Sequence, residues 1–160
     1  MRESFLAHAM NVHGDAVYRL AICRLQNVAD AEDVFQETFL KLLKEKRAVN
    51  WDDEHVKAWL LRVAINKCSD IGRRRQSCGT IALEDVPELS AEDTFRYAEI
   101  WDAVSRLPDR IRTIFHLFYA EGYQTDEIAK LLNIPASTVR VYLNRARKNL
   151  RKELSDDDVI

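Results

Sequence analysis

The stretch at residues 121–152, EGYQTDEIAKLLNIPASTVRVYLNRARKNLRK, decides the fold of this chain, because it has the pattern of two helices joined by a tight turn. The first helix is predicted from about Thr125 to Leu132. Pro135 ends it, because the residue before a proline is pushed out of the helical region. The second helix is predicted to begin at about Ala136. Apolar residues recur along it at helical spacing and predict its buried stripe: Val139, Leu143, Ala146, Leu150 and Leu154.

The other side of this second helix is predicted to be exposed and basic. One exposed row holds Arg140, Asn144, Arg147 and Arg151, and beside it lie Val141, Arg145, Lys148 and Lys152. A helical hairpin with such a second helix is typical of the helix-turn-helix, whose second helix enters the major groove of DNA. The alternative is an ordinary helical hairpin whose basic face is only solvated.

Length and composition favour an all-α protein. The 160 residues include only 4 Gly and 3 Pro, and the strongest apolar patterns have a helical period. No N-terminal apolar segment and no apolar run approaching ~18 residues occurs, so we expect no signal peptide, no membrane span and a cytoplasmic protein. Cys23, Cys68 and Cys78 are odd in number and widely spaced, which indicates neither a disulfide framework nor a metal site. We expect no cofactor.

The charge is distributed unevenly, although the formal net charge is only −2. Residues 94–154 carry 11 Lys and Arg against 7 Asp and Glu, whereas residues 77–93 carry five acids and no basic residue. We therefore predict two small helical domains, 1–76 and 95–154, joined by a flexible acidic linker at 77–94 and followed by an acidic tail at 155–160. The local basic surface, rather than the net charge, decides whether such a chain attracts DNA.

The first domain is predicted to contain three helical segments. Residues 2–27 form one helix or two short ones, interrupted near Gly14. Residues 30–46 form an amphipathic helix capped by Asp30, with an apolar residue, Leu40, among the charges of its outer face. Its inner face holds Ala31, Val34, Phe35, Thr38, Phe39, Leu42 and Leu43.

The third segment begins after Trp51 and is mostly apolar, with one polar strip. The strip contains Arg62, Asn66, Ser69 and Arg73 and runs into Arg74 and Arg75. Asparagine is a poor helix former, so Asn66 either makes a local hydrogen bond or reads a base. The arginine run is either a solvated helix end or a phosphate contact.

Two more helices are predicted between the linker and the hairpin. The first ends at Leu107–Pro108. Asp109 is predicted to cap the second, Gly122 to end it, and Ile111, Ile114, Phe115 and Phe118 to face the core. His116 is interpreted as a packed or surface histidine.

These segments, in this order, resemble the extracytoplasmic-function (group IV) sigma factors of bacterial RNA polymerase. DAEDVFQETFLKLL at 30–43 is similar to their core-binding segment, AWLLRVAINKCSDIGRRR at 58–75 to their −10 segment, and residues 107–151 to their −35 domain. The resemblance implies a factor that is not an enzyme, directs core polymerase to −35/−10 promoters and helps to melt the −10 element. It implies contacts with the β′ clamp coiled coil, the β flap and promoter DNA, and control by an anti-sigma factor.

The resemblance also implies roles for individual residues. Those that dock on core polymerase are Asp33, Gln36, Glu37, Leu40 and Lys41. Those that handle the −10 element are Trp59, Arg62, Asn66, Ser69, Arg73, Arg74 and Arg75, with Asn66 holding a flipped base. Those at the −35 element are Thr138, Arg140, Val141, Asn144, Arg145, Arg147 and Lys148.

Base chemistry refines the −35 assignments. Arg140 and Arg145 suit guanine, Asn144 could pair with adenine, and Val141 could contact a thymine methyl group. Thr138 and Lys148 suit phosphate. Two other functions are compatible with the sequence. One is a stand-alone helix-turn-helix regulator with an N-terminal dimerisation or sensing domain, and the other is a helical adaptor that does not bind DNA.

Overall fold

The computed structural model of the chain describes the backbone of residues 2–78 and 101–156, and the side chains of residues 3–74 and 102–153. The predicted linker, from residue 79 onward, and most of the predicted tail lie outside the described residues. The chain divides into two compact units, Met1–Val86 and Pro87–Ile160. No strand occurs in the described ranges, which agrees with the all-α prediction.

The first unit is a three-helix assembly with a short 3₁₀ segment. Helix α1 spans Arg2–Leu25, α2 spans Val28–Lys44, the 3₁₀ helix spans Lys46–Asn50 and α3 spans Asp53–Cys78. Each of the three α-helices packs against the other two. Their shared core contains Leu20, Ile22, Val34, Leu42, Leu60 and Leu61, all fully buried. Burying each such side chain stabilises the fold by roughly 1.5–3 kcal/mol.

Helix α1 runs through Gly14 without the interruption that the sequence suggested. Gly14 is buried, and a Cβ atom placed there would lie 3.3 Å from Cε2 of Phe35 on α2. The glycine therefore lets two helices approach each other closely. A glycine in a helix costs only about 1 kcal/mol relative to alanine, which packing on one side can offset.

Helix α2 begins earlier than predicted, so the assignment of Asp30 as its cap was wrong. Asn27 occupies the N-cap position, and its Oδ1 accepts a hydrogen bond from the backbone N–H of Asp30 at 2.9 Å. The inner face is otherwise confirmed for Ala31, Val34, Thr38, Phe39 and Leu42, whereas Phe35 is half-buried and Leu43 is exposed.

A histidine is buried between the elements of this unit. His13 Nε2 is inaccessible and has no hydrogen-bond partner among the described residues, and Oδ1 of Asp53 is 4.0 Å away. The same oxygen lies 3.2 Å from His8 Nε2. Burial lowers the pKa of His13 below its ordinary value of 6.5, and the charge of Asp53 opposes this only in part.

The second unit is built on a long C-terminal helix. Helix α4 spans Trp101–Ser105, α5 spans Asp109–Tyr119, α6 spans Thr125–Leu132 and α7 spans Ala136–Asp156. Helices α4, α5 and α6 each pack against α7. One apolar cluster joins α4 and α5 to α7 and contains Ala103, Val104, Leu107, Ile111, Phe115, Ala146 and Leu150.

The turn before α5 is organised by a buried arginine. Pro108 takes the N-cap position, so Asp109 is the first helical residue and the prediction that it caps α5 was wrong. The carboxylate of Asp109 instead accepts from Arg112 Nη2 at 2.8 Å, while Arg112 Nη1 donates to the carbonyls of Leu107 at 2.6 Å and Ser105 at 3.1 Å.

The end of α5 also differs from the prediction. The helix ends at Tyr119, and Gly122 lies beyond it in the turn, at a φ of +77° that favours glycine. Phe118 is half-buried rather than in the core. In the part of the chain that the structure describes, no helix is long and apolar enough to cross a membrane.

Candidate nucleic-acid interface

The hairpin of α6 and α7 has the predicted boundaries. Helix α6 ends where Asn133 adopts the left-handed conformation, at a φ of 58°, and α7 starts directly after Pro135. At the other end of α6, the backbone N–H of Gln124 donates to Oε1 of Glu127 at 2.9 Å, which fixes the first turn. Local chemistry therefore accounts for where these two helices begin and end.

Helix α7 presents most of the predicted base-reading side chains to solvent. Val139, Leu143, Ala146 and Leu150 are buried as predicted, and the side chain of Leu154 lies outside the described residues. The exposed residues on the other side are Arg140, Val141, Asn144, Arg145, Lys148, Asn149, Arg151 and Lys152. Thr138 is half-buried. The exposed side thus combines positive charge, two amides and one apolar residue.

Arg147 is placed differently from its neighbours, because α5 holds its side chain. Its Nε–H donates to Oη of Tyr119 at 2.6 Å, and its guanidinium carbon lies 5.6 Å from the ring centroids of both Phe118 and Tyr119. Its Nη1 donates to Oδ1 of Asn144 at 3.3 Å. Sequence reasoning missed Tyr119, since nothing local to α5 indicates which arginine its hydroxyl meets.

Helix α3 exposes part of the predicted −10 strip. Arg62, Asn66, Arg73 and Arg74 are exposed, Trp59 and Ser69 are half-buried, and the side chain of Arg75 lies outside the described residues. Ser69 faces α1, since its Oγ accepts a hydrogen bond from Arg24 Nη2 at 3.3 Å. Arg73 forms an ion pair with Asp70. Spacings of three, four and seven residues keep Trp59, Arg62, Asn66 and Arg73 on one side of α3.

An aromatic cluster continues this strip toward the start of α3. The Trp51 ring stacks on His55, with centroids 4.1 Å apart and planes 9° apart, and lies 5.9 Å from the Trp59 ring. Neither Trp51 nor His55 was among the predicted site residues. Their spacing of four residues from each other, and of His55 from Trp59, is the signal that could have revealed them.

The outer face of α2 carries all five predicted docking residues in exposed positions: Asp33, Gln36, Glu37, Leu40 and Lys41. Leu40 is 54% exposed among charged neighbours. Glu37 forms an ion pair with Lys67 of α3, which the sequence analysis also missed. Lys67 follows Asn66 directly, so this ion pair links the docking face to the polar strip of α3.

Cys23, Cys68 and His116 are side chains of the kinds that can bind metal ions. The described side chains contain no group of three or more His, Cys, Asp or Glu that could hold a metal ion. Cys23 and Cys68 are buried. His116 lies 3.1 Å from Oε2 of Glu121, both side chains being nearly inaccessible, so it is a packed histidine.

Comparison with known families matches both units. Residues 10–78 match the family "Sigma-70 region 2", and residues 97–150 match "Sigma-70, region 4". These two matches contain all of α2, α3 and α6, and most of α7.

Curated relatives match along almost the whole chain. SigW of Bacillus subtilis, an ECF RNA polymerase sigma factor, is 30% identical over 96% of this chain and 91% of its own length. SigV of the same organism is 28% identical over 98% of this chain and 95% of its own length. SigL of Mycobacterium tuberculosis, another ECF sigma factor, is 30% identical over 96% of this chain and 92% of its own length.

Solved structures share the fold. RpoE of Bartonella quintana, solved with the anti-sigma factor NepR, superposes with a TM-score of 0.78 over 93% of this chain and 96% of its own, at 20% identity. CnrH, solved with the cytosolic domain of CnrY, superposes with a TM-score of 0.70 over 97% of this chain and 90% of its own, at 23% identity. Two sigma regions in order, together with relatives matched nearly end to end, establish that the chain belongs to the extracytoplasmic-function (ECF) family of RNA polymerase sigma factors.

Proposed function

We propose that this sigma factor directs core RNA polymerase to promoters with −35 and −10 elements, and that its two units divide this work. The observation that carries the proposal is the presence of one polar, exposed surface on each of α2, α3 and α7. Sigma factors bind core polymerase and promoter DNA, and the three surfaces have the chemistry for a protein partner, an opened strand and a duplex, respectively. The polymerase carries out RNA synthesis, so this chain acts as an initiation factor. We place this activity in the cytoplasm.

The docking face on α2 suits a protein partner. An exposed leucine surrounded by charged and amide side chains has the composition of a small interface with an apolar centre and a polar rim. We assign it to the clamp coiled coil of the β′ subunit. Glu37 forms an ion pair with Lys67 within the chain. Docking would replace this ion pair by one between Glu37 and a cation of the polymerase.

The strip on α3 suits DNA that is being opened. Asn66 is exposed and can hydrogen-bond the edge of a base that has left the stack, while Trp59 and Trp51 offer aromatic surface nearby. Extruding a base costs a few kcal/mol, which contacts in a pocket can recover without ATP. Arg62, Arg73 and Arg74 supply positive charge for the phosphates beside it.

The exposed side of α7 suits the major groove of the −35 element. Arg140 and Arg145 can each donate two hydrogen bonds to a guanine, and Val141 can pack against a thymine methyl group. Lys148 and Thr138 suit phosphates, which set the register of the helix. Arg145 lies 5.6 Å from the centre of the Tyr142 ring, which restricts how far its side chain can swing.

We also propose that a cognate anti-sigma factor restrains this chain. The support comes from the two solved structures described above, each of which contains a partner: NepR with RpoE, and the cytosolic domain of CnrY with CnrH. Blocking the α2 face would suffice, because promoter opening requires the polymerase.

DNA capture with and without core polymerase tests the proposal. A pool of promoter-like DNA is incubated with the purified chain, with core polymerase, and with both, and the retained DNA is sequenced. We expect enrichment of two sequence blocks, near −35 and −10, only when both proteins are present. Enrichment of a two-fold symmetric operator by the chain alone would identify a stand-alone regulator instead. No salt-dependent DNA binding in any mixture would identify an adaptor.

A further inference from the structure

The contact between α5 and α7 has a consequence for base recognition. Tyr119 lies at the end of α5 and is 46% exposed, yet its hydroxyl oxygen accepts from Arg147 Nε at 2.6 Å. The rings of Tyr119 and Phe118 also flank the guanidinium, each with its centroid 5.6 Å away. One hydrogen bond and two ring contacts therefore hold the Arg147 side chain against α5, and this arginine is not free to swing into the groove.

The fixed arginine in turn fixes an amide. Arg147 Nη1 lies 3.3 Å from the Oδ1 atom of Asn144, one turn earlier on the exposed side of α7. A guanidinium has only donors, so the atom of the amide that faces it must be the oxygen. The NH₂ group of Asn144 is then the end turned away from Arg147. An unrestrained asparagine could present either end.

The orientation of this amide decides which base edge it can read. Paired recognition of adenine requires the oxygen to accept from N6 while the nitrogen donates to N7. Arg147 takes one of the two lone pairs of Oδ1 and turns that oxygen toward itself, so the NH₂ donor is the end of the amide best placed to meet a base. Guanine presents two acceptors, N7 and O6, at the corresponding positions of the major groove. The donor end of Asn144 therefore suits guanine better than adenine.

We propose that Tyr119 is a positioning residue for promoter recognition. Through Arg147 it holds Asn144 with its donor outward and thereby gives Asn144 a preference for guanine over adenine at one base pair of the −35 element. This inference rests on the proposed function of α7 and deepens it. Neither Tyr119 nor Arg147 needs to contact DNA for this role.

The test uses the full chain with core polymerase and DNA randomised across the −35 element. Asn144→Ala first identifies the base pair that Asn144 reads. We expect the unaltered protein to prefer guanine over adenine there by about tenfold, a typical value for one good base contact. Tyr119→Phe keeps the ring but removes the hydroxyl, and should reduce that preference to less than about threefold. Arg147→Lys keeps the positive charge but loses the planar guanidinium, whose several donors contact Tyr119 and Asn144 together. It should have the same effect.

Matched controls separate positioning from folding. Tyr18→Phe removes a tyrosine hydroxyl from α1 of the first unit and should leave the preference at the Asn144 base pair unchanged. The preference at the base pair that Arg140 reads should stay the same in every variant. Thermal unfolding of each variant should match that of the unaltered protein. A tenfold preference that survives in Tyr119→Phe, or a preference for adenine in the unaltered protein, would overturn the inference. No base preference anywhere in the −35 element would instead overturn the proposed function of α7.

Discussion

Reversing the charge of Glu37 is the sharpest test of how this chain meets the polymerase. Glu37 lies on the outer face of α2, and its carboxylate now pairs with Lys67 of α3. The side chains of Glu37 and Lys67 are 47% and 27% exposed. Water therefore screens this ion pair, and the pair contributes at most about 1 kcal/mol to folding. Glu37→Lys should change the thermal stability of the chain only slightly.

The expected effect on docking is much larger. If the polymerase covers Glu37 and pairs it with a cation, removing this charge costs about 2–5 kcal/mol, because a partner is left buried without its counterion. Each 1.4 kcal/mol is a factor of ten, so Glu37→Lys should weaken the affinity for core polymerase by roughly 30-fold or more. Fluorescence titration of the labelled chain with core polymerase measures this dissociation constant.

Two further variants make the result decisive. Asp15→Lys makes the same charge change at an exposed position on α1 and should leave core affinity nearly unchanged. The double change Glu37→Lys with Lys67→Glu restores an ion pair between α2 and α3 but not the negative charge on the docking face. It should therefore remain defective. Recovery of core affinity in the double variant would refute the reasoning, because Glu37 would then act through its ion pair with Lys67 rather than by contact with polymerase.

The remaining predictions concern the other two surfaces and the buried histidine. Arg140→Ala should relax −35 preference at one base pair by about 1–3 kcal/mol in binding selections, whereas equal weakening on all sequences would make Arg140 a phosphate contact. Asn66→Ala should abolish permanganate reactivity of the −10 element while the closed complex persists in footprints; unchanged reactivity would remove Asn66 from melting. The stability of the chain in urea should fall as pH drops from about 7.5 to 5.5, because burial lowers the pKa of folded His13 below 6.5 and the unfolded chain takes up the proton first. His13→Leu should flatten this pH dependence, and an unchanged slope would exclude His13 as its source.

The helix-turn-helix could be predicted closely because its signals are local. Asn133 and Pro135 end one helix and start the next through their own backbone preferences, so no distant residue is needed to place the boundary. Periodicity also identified the buried stripe of α7. The same reasoning failed at two caps: Asn27 begins α2 ahead of Asp30, and Pro108 begins α5 ahead of Asp109. In each pair both residues are of a type that can start a helix, so the residue type alone does not choose between them.

Contacts between helices explain the features that the sequence pattern did not predict. Gly14 does not interrupt α1, because Phe35 of another helix lies against it. Ser69 and Arg147 were expected on exposed strips, yet Ser69 faces Arg24 and Arg147 faces Tyr119. Periodicity states which side of a helix is exposed, but not which long side chain from a neighbouring helix reaches over its edge.

The central claim is that this chain turns core polymerase into a promoter-specific enzyme, and transcription initiation measures this directly. Core polymerase is supplied with a library of random upstream sequences, nucleotides and either this chain or buffer, and the 5′ ends of the transcripts are sequenced. We expect defined start sites that require the chain and share two upstream sequence blocks, and we expect these starts to be lost in Asn66→Ala. Failure to initiate from any sequence, although the chain is bound to core, would contradict the account.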